Sequence, residues 1–163
     1  MKKNLMKKTI LMLLATSSIY AGGAFSVGTK NIRIIASTDN SFGETYTVLG
    51  VNANYFVIDN LSVGATYLSY LGGTPSINQI TVPVTYHVAL EGMPFVPYIG
   101  AFYSKAFIEA PYEDYDVYGG RIGASMRTSA NSYVSFGWVQ ELGSTSNDIS
   151  KRGYPEVSGG ISF

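Results

Sequence analysis

The side chains able to do chemistry in this 163-residue chain are few. His87 is the only histidine and there is no cysteine, which excludes disulfides and thiolate sites and argues against a transition-metal centre. Hydrolysis by a Ser/His/acid set would have to run through His87; a histidine that simply hydrogen-bonds in an interior is the expected role. Arg33, Lys105, Arg121, Glu141 and Glu156 each stand in a run of apolar and small residues. A buried charge without a partner is costly, so these five are expected to form an interior ion-pair network. Arg121 and Glu141 should meet across adjacent strands, with Glu156 beside them. Tyr112, Glu113, Asp114 and Tyr115 mix acidic oxygens with aromatic rings, in a loop that could meet a partner or Ca²⁺.

The elements that must position these groups are strands. In residues 117–127 the even positions Tyr118, Ile122, Ala124 and Met126 are apolar, while Arg121, Ser125 and Arg127 occupy odd ones. That is a period of two. A polar turn at 128–132 leads to Val134, Phe136, Trp138 and Leu142 on one side and Ser135, Gly137 and Glu141 on the other, completing a β-hairpin. The same alternation recurs over 25–36, 45–57, 61–71, 80–91, 95–108 and 154–163, giving eight strands. Tight turns are expected at 59–60, 92–94 and 128–132, and longer polar loops at 37–44, 72–78, 109–116 and 143–153. Pro83 and Pro97 fall inside strands and suggest a bulge. Aromatic residues near strand ends suggest two interfacial girdles: Phe25, Tyr55, Phe95, Tyr133 and Phe163 at one rim, and Phe42, Tyr46, Tyr67, Tyr70, Phe107, Tyr118, Trp138 and Tyr154 at the other.

Which face is buried follows from composition. Apolar residues make up 46% and charged residues only 13%, about half the share of roughly 25% usual in soluble domains. Lys2, Lys3, Lys7 and Lys8 precede a short apolar run ending in small residues, the pattern of a secretory signal peptide with cleavage after Ala21 or Ala24. Without that segment the chain has seven basic and eleven acidic residues, a net charge of −4 with no nucleic-acid footprint. Eight amphipathic strands behind an export signal, with short and long connections alternating, predict an all-β fold: an eight-stranded antiparallel transmembrane β-barrel over residues 22–163, apolar face to lipid and polar face to the lumen.

The runs YFVIDNLSVGATY (55–67), FVPYIGAFYSKAF (95–107), YGGRIGASMRTSANSYVSFGWVQE (118–141) and GGISF (159–163) resemble the OmpW/OmpX-like small outer-membrane β-barrel proteins of Gram-negative bacteria. The resemblance spans nearly the whole exported chain and is specific for architecture rather than activity. It implies that Phe163, with Ile161 two residues before it, forms the signal read by the barrel-assembly machinery. It also implies a location in the cell outer membrane, reached through the periplasm. The resulting expectation is a monomer in contact with outer-membrane lipid, without cofactor, nucleic-acid partner or catalysis, and with a structural or surface-interaction role carried by its loops. Two alternatives are a narrow channel for small solutes or ions, and a secreted soluble lipocalin-like barrel holding a ligand in an apolar interior.

Overall fold

The computed structural model describes residues 25–90, 92–145 and 148–163. The expected signal peptide lies outside the described residues. Eight strands close in sequence order into one antiparallel barrel: β1 (Lys30–Ser41), β2 (Glu44–Ile58), β3 (Leu61–Leu71), β4 (Ile77–His87), β5 (Phe95–Ile108), β6 (Tyr115–Arg127), β7 (Ser132–Thr145) and β8 (Asp148–Ser162). β1 seals against β8 from Asn31↔Ser162 to Ser37↔Glu156. At the terminal rim the backbones of Lys30 and Phe163 exchange two hydrogen bonds of 2.9 Å. Following the ladders from Lys30 through Tyr55, Val63, Val84, Ala101, Gly120, Gln140 and Gly153 returns to β1 about ten residues further on. For eight strands that stagger sets a tilt of about 40°.

Alternation decides the faces. Ile32, Ile34, Leu49, Val51, Val82, Val84, Ile99, Ile122, Phe136 and Val157 are exposed on the outer wall. Their neighbours Arg33, Asn52, Thr81, Thr85, Arg121, Ser135, Glu156 and Ser158 are buried inside. A one-residue slip of any strand would exchange these sets, so the apolar belt itself fixes the register. A barrel with a polar interior is the reverse of the lipocalin arrangement, in which the apolar faces line the cavity.

Three features differ from the sequence-based expectation. First, the strands run further at the rim opposite the termini. Residues 37–44 form not a loop but the ends of β1 and β2, joined through Phe42 and Gly43 at φ 54° and 76°. Both residues in the left-handed region suit the twist of a two-residue hairpin turn. Residues 143–153 are likewise mostly strand, paired down to Thr145↔Asp148. Second, the prolines make no bulge. The β4–β5 and β5–β6 registers stay constant past Pro83 and Pro97, and a register shift occurs elsewhere, at Phe56/Ile58 between β2 and β3. Between β3 and β4 the pairing skips from Val63↔Val84 to Thr66↔Thr81, where Pro83 has no N–H to give. Third, the expected girdles are only partly formed: Tyr55, Tyr67, Phe95, Phe107, Tyr118 and Trp138 are exposed on the outer wall, whereas Phe25, Tyr46, Tyr70, Tyr133 and Tyr154 are buried in the interior. Phe25 precedes β1 and folds back across the terminal mouth, its carbonyl accepting the Asn60 N–H at 2.8 Å.

The lumen network and the far mouth

The interior is stacked in layers, because inward residues of neighbouring strands lie at matched heights. At the terminal end, rings form a plug. Phe25 stacks on His87 with centroids 4.5 Å apart, and Phe56 and Tyr98 approach the same imidazole at 5.5 and 5.9 Å. Arg127 lies over the Phe25 ring at 5.8 Å. His87 Nδ1 has no hydrogen-bond partner. Its neighbours are rings and not a hydroxyl and a carboxylate, so the described residues assemble no Ser/His/acid relay.

In the middle layer Arg33 Nε donates to Asn52 Oδ1 at 2.9 Å, and the Asn52 amide donates to Thr66 Oγ1 at 2.8 Å. Arg121 reaches across β7 to Glu156, Nη1 to Oε1 at 3.4 Å, while its guanidinium packs over Phe102 at 5.3 Å. Hydroxyl rungs join facing strands: Thr81 with Ser104 and Ser125 with Ser135, each at 2.7 Å. Glycines admit the large interior rings. A Cβ on Gly137 would sit 2.3 Å from the Tyr98 hydroxyl, and one on Gly119 would sit 2.2 Å from the Phe102 ring.

Towards the far rim, Arg152 is clamped between two carboxylates, Nη2 to Glu141 Oε2 at 2.6 Å and Nη1 to Asp39 Oδ2 at 2.8 Å. It also donates to the Ser41 hydroxyl. The second oxygen of Glu141 accepts the Tyr154 hydroxyl at 2.9 Å, and Tyr70 donates to Gln79 at 2.8 Å. Charge-assisted contacts of this length, largely shielded from water, are the strong kind.

Of the five charged residues expected to cooperate, Arg33, Arg121, Glu141 and Glu156 are inside. Lys105 is not. The even positions of β5, Tyr98, Phe102 and Ser104, face inward, so Lys105 faces outward. There its ammonium lies 3.5 Å from Asp116, its register partner on β6. The Tyr103 hydroxyl donates to the same carboxylate at 2.8 Å, and Tyr67 donates to Asn78 at 2.8 Å in the same manner two strands away. Tyrosines with rings on the belt and hydroxyls on polar residues mark where the apolar wall ends.

The Arg121–Glu141 pairing is also corrected. Glu141 stands directly opposite Arg152 on β8, whereas Arg121 is opposite Val139. A direct cross-strand partner takes the carboxylate, leaving Arg121 for Glu156. Arg152 is hidden in the sequence because SNDISKRG reads as loop by composition. The signal was its even numbering, in phase with Tyr154, Glu156 and Ser158.

Above the Arg152 clamp a cleft of about 830 Å³ opens at the far rim, lined by residues that include Phe42, Tyr112, Glu113, Tyr115 and Lys151. Three of the four loop residues singled out from the sequence therefore face it. The fourth, Asp114, instead accepts the Ile108 backbone N–H at 3.0 Å and secures the base of the loop. Among the described residues no group of three or more His, Asp or Glu side chains is placed to hold a metal ion.

No protein-family model and no curated protein sequence matches the chain. Solved structures do. The N-terminal β-barrel domain of Pseudomonas aeruginosa OprF aligns over 84% of this chain and 98% of that one, with a TM-score of 0.65 at 15% identity. Neisserial surface protein A aligns over 82% and 94%, with a TM-score of 0.59 at 20% identity. Ail, the attachment invasion locus protein of Yersinia pestis, aligns over 84% and 99%, with a TM-score of 0.52 at 14% identity. The shared property is the fold, an eight-stranded antiparallel barrel of the outer-membrane kind.

Proposed function

We propose that this protein is an integral outer-membrane barrel, closed to solutes, whose activity is recognition at its far rim, and that it is not an enzyme. The observation that carries this reading is the contrast between an apolar, aromatic-edged outer wall and an interior filled by Arg33, Arg121, Glu141, Arg152 and Glu156 with their partners. An eight-strand barrel is just wide enough for its own side chains. The narrow-channel alternative would need that packing to part. A polar interior offers no site for the apolar ligand of a lipocalin-like barrel.

In this reading the termini face the periplasm and the far rim faces outward. Ile161 and Phe163, both exposed on the outer wall at the end of the chain, serve as the signal for the assembly machinery. The barrel is monomeric, since β1–β8 closure leaves no strand edge for a second copy to pair with. Placement beside the OmpW/OmpX-like proteins rests on the sequence runs alone. The rim connections are short, so recognition is assigned to the cleft between them rather than to long loops.

Cell fractionation with heat-modifiable gel mobility, and planar-bilayer recording of the refolded protein, test this together. A detergent-extracted, heat-shifting species without reproducible conductance is expected. Recovery in the soluble periplasm would end the membrane reading, and steady conductance would end the closed-barrel reading.

A further inference from the structure

We propose that the far cleft binds a neutral oligosaccharide; this rests on reading the far rim as the outward, recognising end. Its volume of about 830 Å³ lies in the range of pockets that hold compact organic ligands. Three features of its lining select the chemistry.

The first is aromatic surface in contact with water. The Phe42 and Tyr112 rings lie 4.9 Å apart and are 46% and 48% exposed. Phe42 holds φ at 54° in the hairpin turn, where Asn or Gly would fit with less strain. Strain of this kind tends to be kept where it serves a site, and here it sets a flat ring at the edge of the cleft. Such rings bury the C–H face of a sugar and leave its hydroxyls free.

The second feature is charge that repels anions. Asp39 and Glu141 together outweigh Arg152 by one negative charge, and Lys151 and Glu113 bring opposite signs that cancel in the lining. The surrounding rim adds Glu44, Glu109 and Asp114, so the field there disfavours anions. The third is a closed floor. Arg152, Ser41 and Tyr115 end the cleft in polar groups, and among the described residues the layer below is the ion-paired Glu141 and Asp39 rather than an apolar tube for an alkyl chain. An uncharged ring rich in hydroxyls satisfies all three conditions.

The test uses the exported chain refolded in a zwitterionic detergent without a sugar head, so that detergent does not compete. Maltotriose, cellotriose and triacetylchitotriose are titrated, with sialyllactose and dodecanoate as anionic and alkyl comparisons. Saturation-transfer NMR is expected to show at least one neutral trisaccharide bound at millimolar concentration, with transfer strongest at its C–H protons. Phe42→Asn, which suits the positive φ, combined with Tyr112→Ala should weaken that binding at least about tenfold while leaving heat-modifiable mobility intact. Absence of binding by all three trisaccharides, binding that ignores the double substitution, or stronger binding of sialyllactose or dodecanoate overturns the proposal. A barrel that stays non-conducting yet binds no sugar removes this inference alone, whereas a conducting barrel removes the reading beneath it.

Discussion

Arg152 places two of its donors, Nη2 at 2.6 Å and Nε at 3.2 Å, on the same oxygen of Glu141, directly across the β7–β8 ladder. Removing the Glu141 charge should therefore be felt through Arg152. Asp39 still holds that guanidinium and Arg152 is partly open to water, so Glu141→Gln is expected to cost about 1 to 3 kcal/mol rather than the full penalty of an orphaned buried charge. Adding Arg152→Met should recover part of the loss, and adding Arg121→Met should recover none. Urea unfolding in lipid vesicles reads all three, and equal rescue by the two methionines would break the assignment of partners.

Arg121 and Lys105 should behave oppositely although both form ion pairs. The Arg121–Glu156 pair is buried, so Arg121→Ala should destabilise by about 3 to 5 kcal/mol. The Lys105–Asp116 pair is 44% and 42% exposed, and Lys105→Ala should stay within about 1 kcal/mol. The same unfolding measurement separates them; a large Lys105 effect would put that side chain in the lumen after all.

The faces of β4 can be tested at neighbouring positions. Val84 is on the outer wall and Thr85 is buried inside. Val84→Arg should cost roughly 2 to 4 kcal/mol near the middle of the membrane, while Thr85→Ser should be mild. Equal folded fractions for the two variants would mean that the wall is not facing lipid.

Gly137 is expected to be intolerant of any side chain, since a Cβ there meets the Tyr98 hydroxyl at 2.3 Å and the Ile122 carbonyl oxygen at 2.8 Å. Gly137→Ala should destabilise by about 1 to 3 kcal/mol through overpacking. Tyr98→Phe in the same chain should return part of that, because it removes the nearer atom. No rescue in the double-mutant comparison would assign the cost to the backbone contact.

The legible part of this fold was the part inside the apolar belt. There Ile80, Val82 and Val84 alternate with Thr81 and Thr85, and the contrast between faces fixes both strand and register. Beyond the belt the contrast vanishes. Thr38 and Asn40 point outward while Asp39 and Ser41 point inward, so both faces are polar and composition reads as loop. Arg152 disappeared with that extension, and so did the true partner of Glu141. Phe25 and Tyr133 are illegible for a different reason: aromatic residues near an end suit either a girdle or a plug, and only the chain path distinguishes them. Lys105 is ambiguous in the sequence because β5 has apolar residues on both faces, leaving the charge no clear side.

The layering of the lumen has an electrical consequence. Among the described residues, two guanidiniums, Arg33 and Arg121, share the middle layer with one carboxylate, Glu156, whereas two carboxylates, Asp39 and Glu141, flank one guanidinium, Arg152, above it. The barrel thus contains a fixed dipole of one charge pair along its axis. From Glu156 to Arg152 is four residues of a tilted strand, about 10 Å of height, or roughly a third of the hydrocarbon thickness. A full charge crossing the whole membrane gains about 2.3 kcal/mol per 100 mV, so this dipole couples to such a voltage by less than about 1 kcal/mol. That is smaller than the energy holding either layer together, and the interior should stay rigid as the potential across the membrane changes.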